Sequence, residues 1–109
     1  MAASPALQAL AALSARIGRD PLVTQAAGGN TSVKEGGRLW IKASGTWLAE
    51  ADQRDIFLPV ALEPLRTAIE AGDERAAKAT DFVIAEANPL SLRPSVETSV
   101  HAVFPQAVV

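Results

Sequence analysis

The chain has 109 residues, 10 Lys+Arg against 12 Asp+Glu, a formal net charge of -2 and 49% hydrophobic residues. That balance is too apolar and too weakly charged for a disordered chain, and it offers no basic cluster to favour nucleic acid or an anionic membrane as partner. The lack of cysteine excludes disulfide scaffolds, thiolate metal sites and Cys nucleophiles, and a single His cannot furnish a multi-histidine metal site alone.

The length suits one folded unit. The Ala/Leu-rich start, Met1 to Ile17, has no basic segment before its apolar run and is interrupted by Gln8, so it does not read as a signal peptide. No apolar stretch reaches the ~18–20 residues of a membrane span, and a cytoplasmic location is expected.

Ser4-Pro5 reads as a helix N-cap with proline at the first helical position, and Leu7, Leu10, Leu13 and Ile17 follow as an apolar stripe. Arg16 and Arg19 suit the C-terminal end, Gly18 can terminate the helix, and Asp20-Pro21 breaks it. Thr31–Lys34 and Arg38–Lys42 read as strands joined by a turn at Glu35-Gly36-Gly37, and Ser44-Gly45 ends the second. Ile56–Val60 reads as a third strand, at an edge or ending near Pro59.

Pro64 to Ala71 is helical by pattern with Gly72 as its cap, and Asp73 to Ala87 is Ala-rich and helix-prone. Asn88-Pro89 and Arg93-Pro94 mark a loop. Ser95 then opens a helix with Val96, Val100 and Val103 on one face and Glu97 and His101 on a neighbouring polar face. Pro105 ends it, and Gln106–Val109 begins a strand. The order of elements indicates an α/β or α+β chain with a largely antiparallel sheet.

Three loops carry residues suited to chemistry. In Ala26-Ala27-Gly28-Gly29-Asn30-Thr31-Ser32, paired glycines allow close backbone approach and Asn30 adds a neutral donor, which suits a phosphate oxygen. Lys42-Ala43-Ser44-Gly45-Thr46 ends a strand with hydroxyls and a glycine backbone. In Arg93-Pro94-Ser95-Val96-Glu97, a Ser at a helix start suits an anion, and Glu97 suits a general base if it is partly buried with a raised pKa. Each also has a plainer reading: a turn, a strand end, and a first-turn carboxylate with His101 as its i+4 partner.

In that order, these motifs with His101 and Phe104-Pro105-Gln106-Ala107-Val108-Val109 resemble the N-terminal part of the class II aldolase/adducin family, over roughly Leu13 to Val109. The wording is most similar to the rhamnulose-1-phosphate aldolase type found fused to a short-chain dehydrogenase. The resemblance implies a three-layer α/β/α sandwich around a mostly antiparallel sheet, with residues 1–109 the N-terminal portion of a single domain. It implies retro-aldol cleavage of a ketose 1-phosphate to dihydroxyacetone phosphate and an aldehyde. Gly29, Asn30, Ser44, Gly45 and Ser95 match the phosphate-binding positions, Val96 replaces a second serine, and Glu97 matches the catalytic acid/base.

The resemblance further implies a zinc or other divalent ion held by histidines, of which a His-x-His pair is expected beyond Val109 and none within the chain. His101 matches a non-ligand position one turn after the glutamate. The chain is therefore expected to be a partial one, inactive in isolation, from a parent that acts on a sugar phosphate and assembles as a homo-oligomer, commonly a tetramer. Two alternatives stand beside it: a sugar-phosphate epimerase or dehydratase of the same family, and an adducin-like interaction module without catalysis.

Overall fold

The computed structural model describes residues 4–24, 28–77 and 79–109. Ala26 and Ala27 of the first loop, the first residues of the Ala/Leu-rich start, and Lys78 lie outside the described residues.

Helix α1 spans Pro5–Gly18 and begins as its sequence dictates. The Ser4 hydroxyl accepts the Leu7 N–H at 3.2 Å, with proline at the start of the helix. Its buried face differs from the expected leucine stripe: Leu10, Ser14 and Ala15 are buried, whereas Leu13 is exposed. Close approach is the reason. α1 packs on the 3-10 turn Leu48–Glu50, with Ala11 and Ala15 against Leu48, Ala51 and Ile56. A Cβ on Gly18 would stand 2.3 Å from the Ala49 nitrogen, so glycine is what lets the two backbones touch. Gly18 is the last helical residue; Arg19 ends the helix in right-handed geometry and pairs with Asp52 at 2.7 Å.

Strands β1 (Ser32–Glu35), β2 (Arg38–Lys42) and β3 (Phe57–Ala61) form an antiparallel sheet in the order β1-β2-β3. Ser32 pairs with Ile41 and Ile41 with Leu58, which sets the register. Leu39, Ile41, Leu58 and Val60 face one way, onto Leu62, Leu65 and Ala68 of α2 (Leu62–Glu70) and Ala102 of α3 (Thr98–Val103). Full burial of each large aliphatic side chain contributes about 1.5–3 kcal/mol. Phe57, from the opposite face, packs against the cluster that α1 contributes to.

Pro59 is accommodated mid-strand. The Ile84 N–H donates to its carbonyl at 3.0 Å on the side away from β2, so the proline nitrogen also faces outward and no ladder bond is lost. Both edges of the sheet acquire further partners. Val83 bridges Val60 on the β3 side. On the β1 side Ser32 and Val109 exchange backbone hydrogen bonds at 2.9 and 3.1 Å, and the Lys34 N–H donates to the Ala107 carbonyl at 2.7 Å. The stretch expected as a strand, Gln106–Val109, lies along β1 and meets it at the Val33–Val108 bridge without forming a strand of its own.

Two expectations are corrected. Asp73 to Ala87 is not a helix: its described residues form 3-10 turns at Glu74–Ala77, Thr80–Phe82 and Ala85–Ala87. The Asp73 carboxylate takes the Arg75 N–H at 2.9 Å, Ala79 turns left-handed at φ 57°, and Val83 and Ile84 are drawn out along β3. An Ala-rich run without a regular apolar face yields to the sheet edge. The last helix starts at Thr98, not Ser95, and buries Thr98, His101 and Ala102, leaving the expected valine face, Val96, Val100 and Val103, exposed. Among the described residues no helix is long and apolar enough to cross a membrane.

Candidate active site

The three loops singled out in the sequence meet at the end of β2. The Thr31 carbonyl accepts the Lys42 N–H at 3.3 Å, which lays the first loop beside the strand end. The Ser95 N–H donates to the Lys42 carbonyl at 3.2 Å and the Ser44 N–H to the Arg93 carbonyl at 2.8 Å, with Ala43 bridging Pro94. A pair of backbone bonds therefore welds the second loop to the third.

Side chains close the arrangement. The Asn30 amide donates to the Ser95 hydroxyl across 65 residues of sequence. That hydroxyl also accepts the Glu97 N–H at 3.2 Å, and the Ser95 carbonyl takes the Thr98 hydroxyl at 2.6 Å, forming a turn ahead of α3 rather than a helix cap. Gly29 precedes Asn30 at φ +82°, where a Cβ would press on Leu48 and Thr24 at 3.0 and 3.1 Å. Glycine is thus required on both counts, and it aims Asn30 into the junction.

Asn30 Oδ1 is buried with no hydrogen-bond partner. Buried acceptors are rarely left so, and each needs an explanation. Rotated by half a turn, the amide would accept the Ser95 hydroxyl proton at Oδ1 and hold its NH2 group in the same buried position, a donor without an acceptor.

Lys42 is a functional group that the sequence reading placed in the loop but did not single out. It is buried beneath the site, and its Nζ donates to the Thr46 carbonyl at 2.6 Å. Burial lowers its pKa, and the Glu97 carboxylate works against that shift. A lysine at a strand end beside a hydroxyl turn was the available signal. Glu97 itself is exposed, so the partial burial on which its reading as a general base depends is absent. Val96 is 86% exposed and brings no hydroxyl to the loop.

The His101 ring takes Ser32 as its hydrogen-bond partner, and its backbone N–H donates to the Glu97 carbonyl at 3.1 Å. It is buried, with Nδ1 2.7 Å from the Ser32 hydroxyl. Burial lowers its pKa, Glu97 raises it and Lys34 lowers it, with burial the largest influence. Among the described residues no group of three His, Asp or Glu side chains could hold a metal ion. With the one histidine turned inward on Ser32, these residues do not fit the divalent ion that the resemblance implies. A groove of about 460 Å³ lies elsewhere, between α1 and the sheet, lined by Leu7, Trp40, Phe57 and Leu92 among others, and none of the candidate residues borders it.

The fold is similar to that of a class II aldolase domain. In particular, the chain is similar to a solved structure described as the N-terminal class II aldolase domain of a conserved protein from Thermoplasma acidophilum, with 27% identity and a TM-score of 0.73. The match covers 99% of this chain and 55% of that one, so the chain spans about half the length of the structure it matches. No family model matches the sequence, and no curated protein matches it.

Proposed function

We propose that this chain supplies the phosphate-binding and proton-transfer part of a class II aldolase that cleaves a ketose 1-phosphate to dihydroxyacetone phosphate and an aldehyde. One observation carries the reading: Asn30 and Ser95, from distant loops, are bonded at the point where Lys42 and the Ser44-Gly45 turn also arrive. Asn30, Ser44, Ser95 and the backbone around Gly29 and Gly45 would hold the phosphate, with Lys42 adding positive charge. In the cleavage the hydroxyl on the far side of the breaking carbon–carbon bond gives its proton to a base and becomes the aldehyde carbonyl, while the bond's electron pair passes to the dihydroxyacetone phosphate fragment as an enediolate. Glu97 would return the proton to carbon, and in the aldol direction remove it.

The finer parts of the reading travel together. They are a rhamnulose-1-phosphate-like substrate, a divalent metal whose donors come from outside the described residues, an α/β/α sandwich, a homo-oligomer and a cytoplasmic location. The test is direct. The full-length protein is incubated with a panel of ketose 1-phosphates, and dihydroxyacetone phosphate release is followed by its reduction with NADH and glycerol-3-phosphate dehydrogenase. Release from one member supports the reading. Interconversion of a sugar phosphate without cleavage would point to an epimerase instead, and no turnover of any member would overturn the aldolase.

The exposure of Val96, Val100, Val103 and Phe104 favours a second reading, an adducin-like interaction module. Stable association with another protein through this face, in a protein lacking turnover, is its expected signature.

A further inference from the structure

Three consecutive residues, Asn30, Thr31 and Ser32, each send a side chain to a different element. Asn30 reaches Ser95 in the loop before α3; Thr31 Oγ1 lies 2.6 Å from Ser14 Oγ of α1; and Ser32 Oγ lies 2.7 Å from His101 Nδ1 of α3. Ser32 is 0% exposed and His101 5%, so their bond is made out of reach of water. Ser32 stands two residues after Asn30, and His101 follows Ser95 and Glu97 by six and four residues. Strand β1, which follows Asn30, and the helix that follows Ser95 and Glu97 are therefore joined a second time, behind the site.

We propose that Ser32 and His101 are positioning residues: their buried bond fixes the separation between β1 and α3, and so sets the Asn30–Ser95 geometry that receives an anion. The use to which that geometry is put rests on the phosphate reading above; the positioning itself does not. The physical case is one of constraint. The backbone bonds of Lys42 to Thr31 and Ser95 hold both segments at the end of β2, while the Asn30 side chain can still turn about its bond to Ser95. A second bond, made from a strand whose backbone is paired on both sides, removes that freedom. Its low-dielectric setting strengthens it and makes the loss of either partner costly. The imidazole suits the task because its burial between β1 and α3 favours the neutral ring, which exchanges one hydrogen bond with a hydroxyl in either tautomer.

The test uses the full-length protein and inorganic phosphate as probe, with two readouts: the Asn30 side-chain amide resonances without ligand, and the phosphate dissociation constant. Ser32→Ala is expected to shift and broaden the Asn30 amide signals and to weaken phosphate binding roughly 5–30-fold, the range that follows from losing one buried hydrogen bond. His101→Leu should do the same, and Ser32→Ala/His101→Leu should be no worse than either single change. His101→Asn, which keeps a polar atom near the Nδ1 position, should recover most of the loss. Ser99→Ala is the structural control. It removes a hydrogen bond from α3 to the Ala76 carbonyl at a distance from Asn30, and should leave the Asn30 signals in place.

Asn30 signals unmoved in folded Ser32→Ala protein, or moved equally by Ser99→Ala, would overturn the proposal. Should the unaltered protein fail to bind phosphate while Ser32→Ala still shifts Asn30, the anion reading falls and the positioning role stands.

Discussion

The Asn30 amide meets the Ser95 hydroxyl across 65 residues of sequence, and the carbonyl oxygen of the same amide is buried without a partner. An amide can turn its NH2 to an incoming anion; a carboxylate of the same shape cannot. Asn30→Asp should therefore weaken binding of inorganic phosphate by at least tenfold near neutral pH, measured by calorimetry on the full-length protein, with little change in its circular dichroism. Equal affinity would remove Asn30 from the anion site.

Glu97 is exposed and linked to the rest of the site through its backbone N–H on the Ser95 hydroxyl. Glu97→Gln leaves that bond intact. Turnover of a phosphorylated ketose by the full-length protein should fall about 10²–10⁴-fold, the usual contribution of an acid/base, with phosphate affinity kept. An unchanged rate would show that the proton travels by another group.

The expected role of Ser44 concerns selectivity. Ser44→Ala removes a hydroxyl from the exposed turn and keeps the backbone bond to Arg93. It should weaken a phosphorylated ligand more than its dephosphorylated counterpart, by several-fold in the ratio of dissociation constants. Equal weakening of both would place the hydroxyl away from phosphate.

Gly18→Ala tests the packing of α1. Alanine improves helix propensity by about 1 kcal/mol at an unhindered position. Here its Cβ would meet the Ala49 nitrogen at 2.3 Å, and that neighbour is backbone. Overpacking of this kind costs about 1–3 kcal/mol, so the net effect should be destabilising and visible as a lower denaturant midpoint. A rise in the midpoint would show that the contact relaxes freely.

His101 gives the fold a pH dependence with a definite sign. Its pKa in the folded chain is lowered from 6.5, so below that value the unfolded chain binds more protons than the folded one. The stability linked to this group is complete above pH 6.5 and is lost as the pH falls through the lower, folded value. Lys34 on β1 adds to the effect and Glu97 opposes it. The slope cannot exceed about 1.4 kcal/mol per pH unit for one proton. Denaturant titrations from pH 7.5 to 5 should show the fall, and His101→Leu should flatten it.

The sequence was most legible where one residue carries its own instruction. Ser4-Pro5 caps a helix, Gly36-Gly37 turns a hairpin, and Pro59 marks a strand with one side free of ladder bonds. It was least legible where the outcome depends on a neighbour. Leu13 follows the stripe that periodicity predicts and yet faces out, because the smaller Ala11, Ala15 and Gly18 let α1 approach Leu48 and Ala49. Alanine is silent about facing, so Asp73 to Ala87 could not announce that Val83 and Ile84 would be claimed by β3.

The site divides in the same way. Residue types and spacing singled out Asn30, Ser44 and Ser95 as candidates, and the structure brings their loops together. The exposure of Glu97, the inward turn of His101 and the burial of Lys42 are tertiary facts with no local signature.

The run from Asn30 to Ser32 addresses three elements from three adjacent positions. A substitution there severs one address. An insertion or deletion of a single residue within the run would move the side chains off their partners and, at Ser32 in β1, point the side chain to the opposite face. Variation in length should thus be purged from this stretch more severely than variation in residue type, and a library of random indels across the chain would reveal it as a sharp minimum of tolerance.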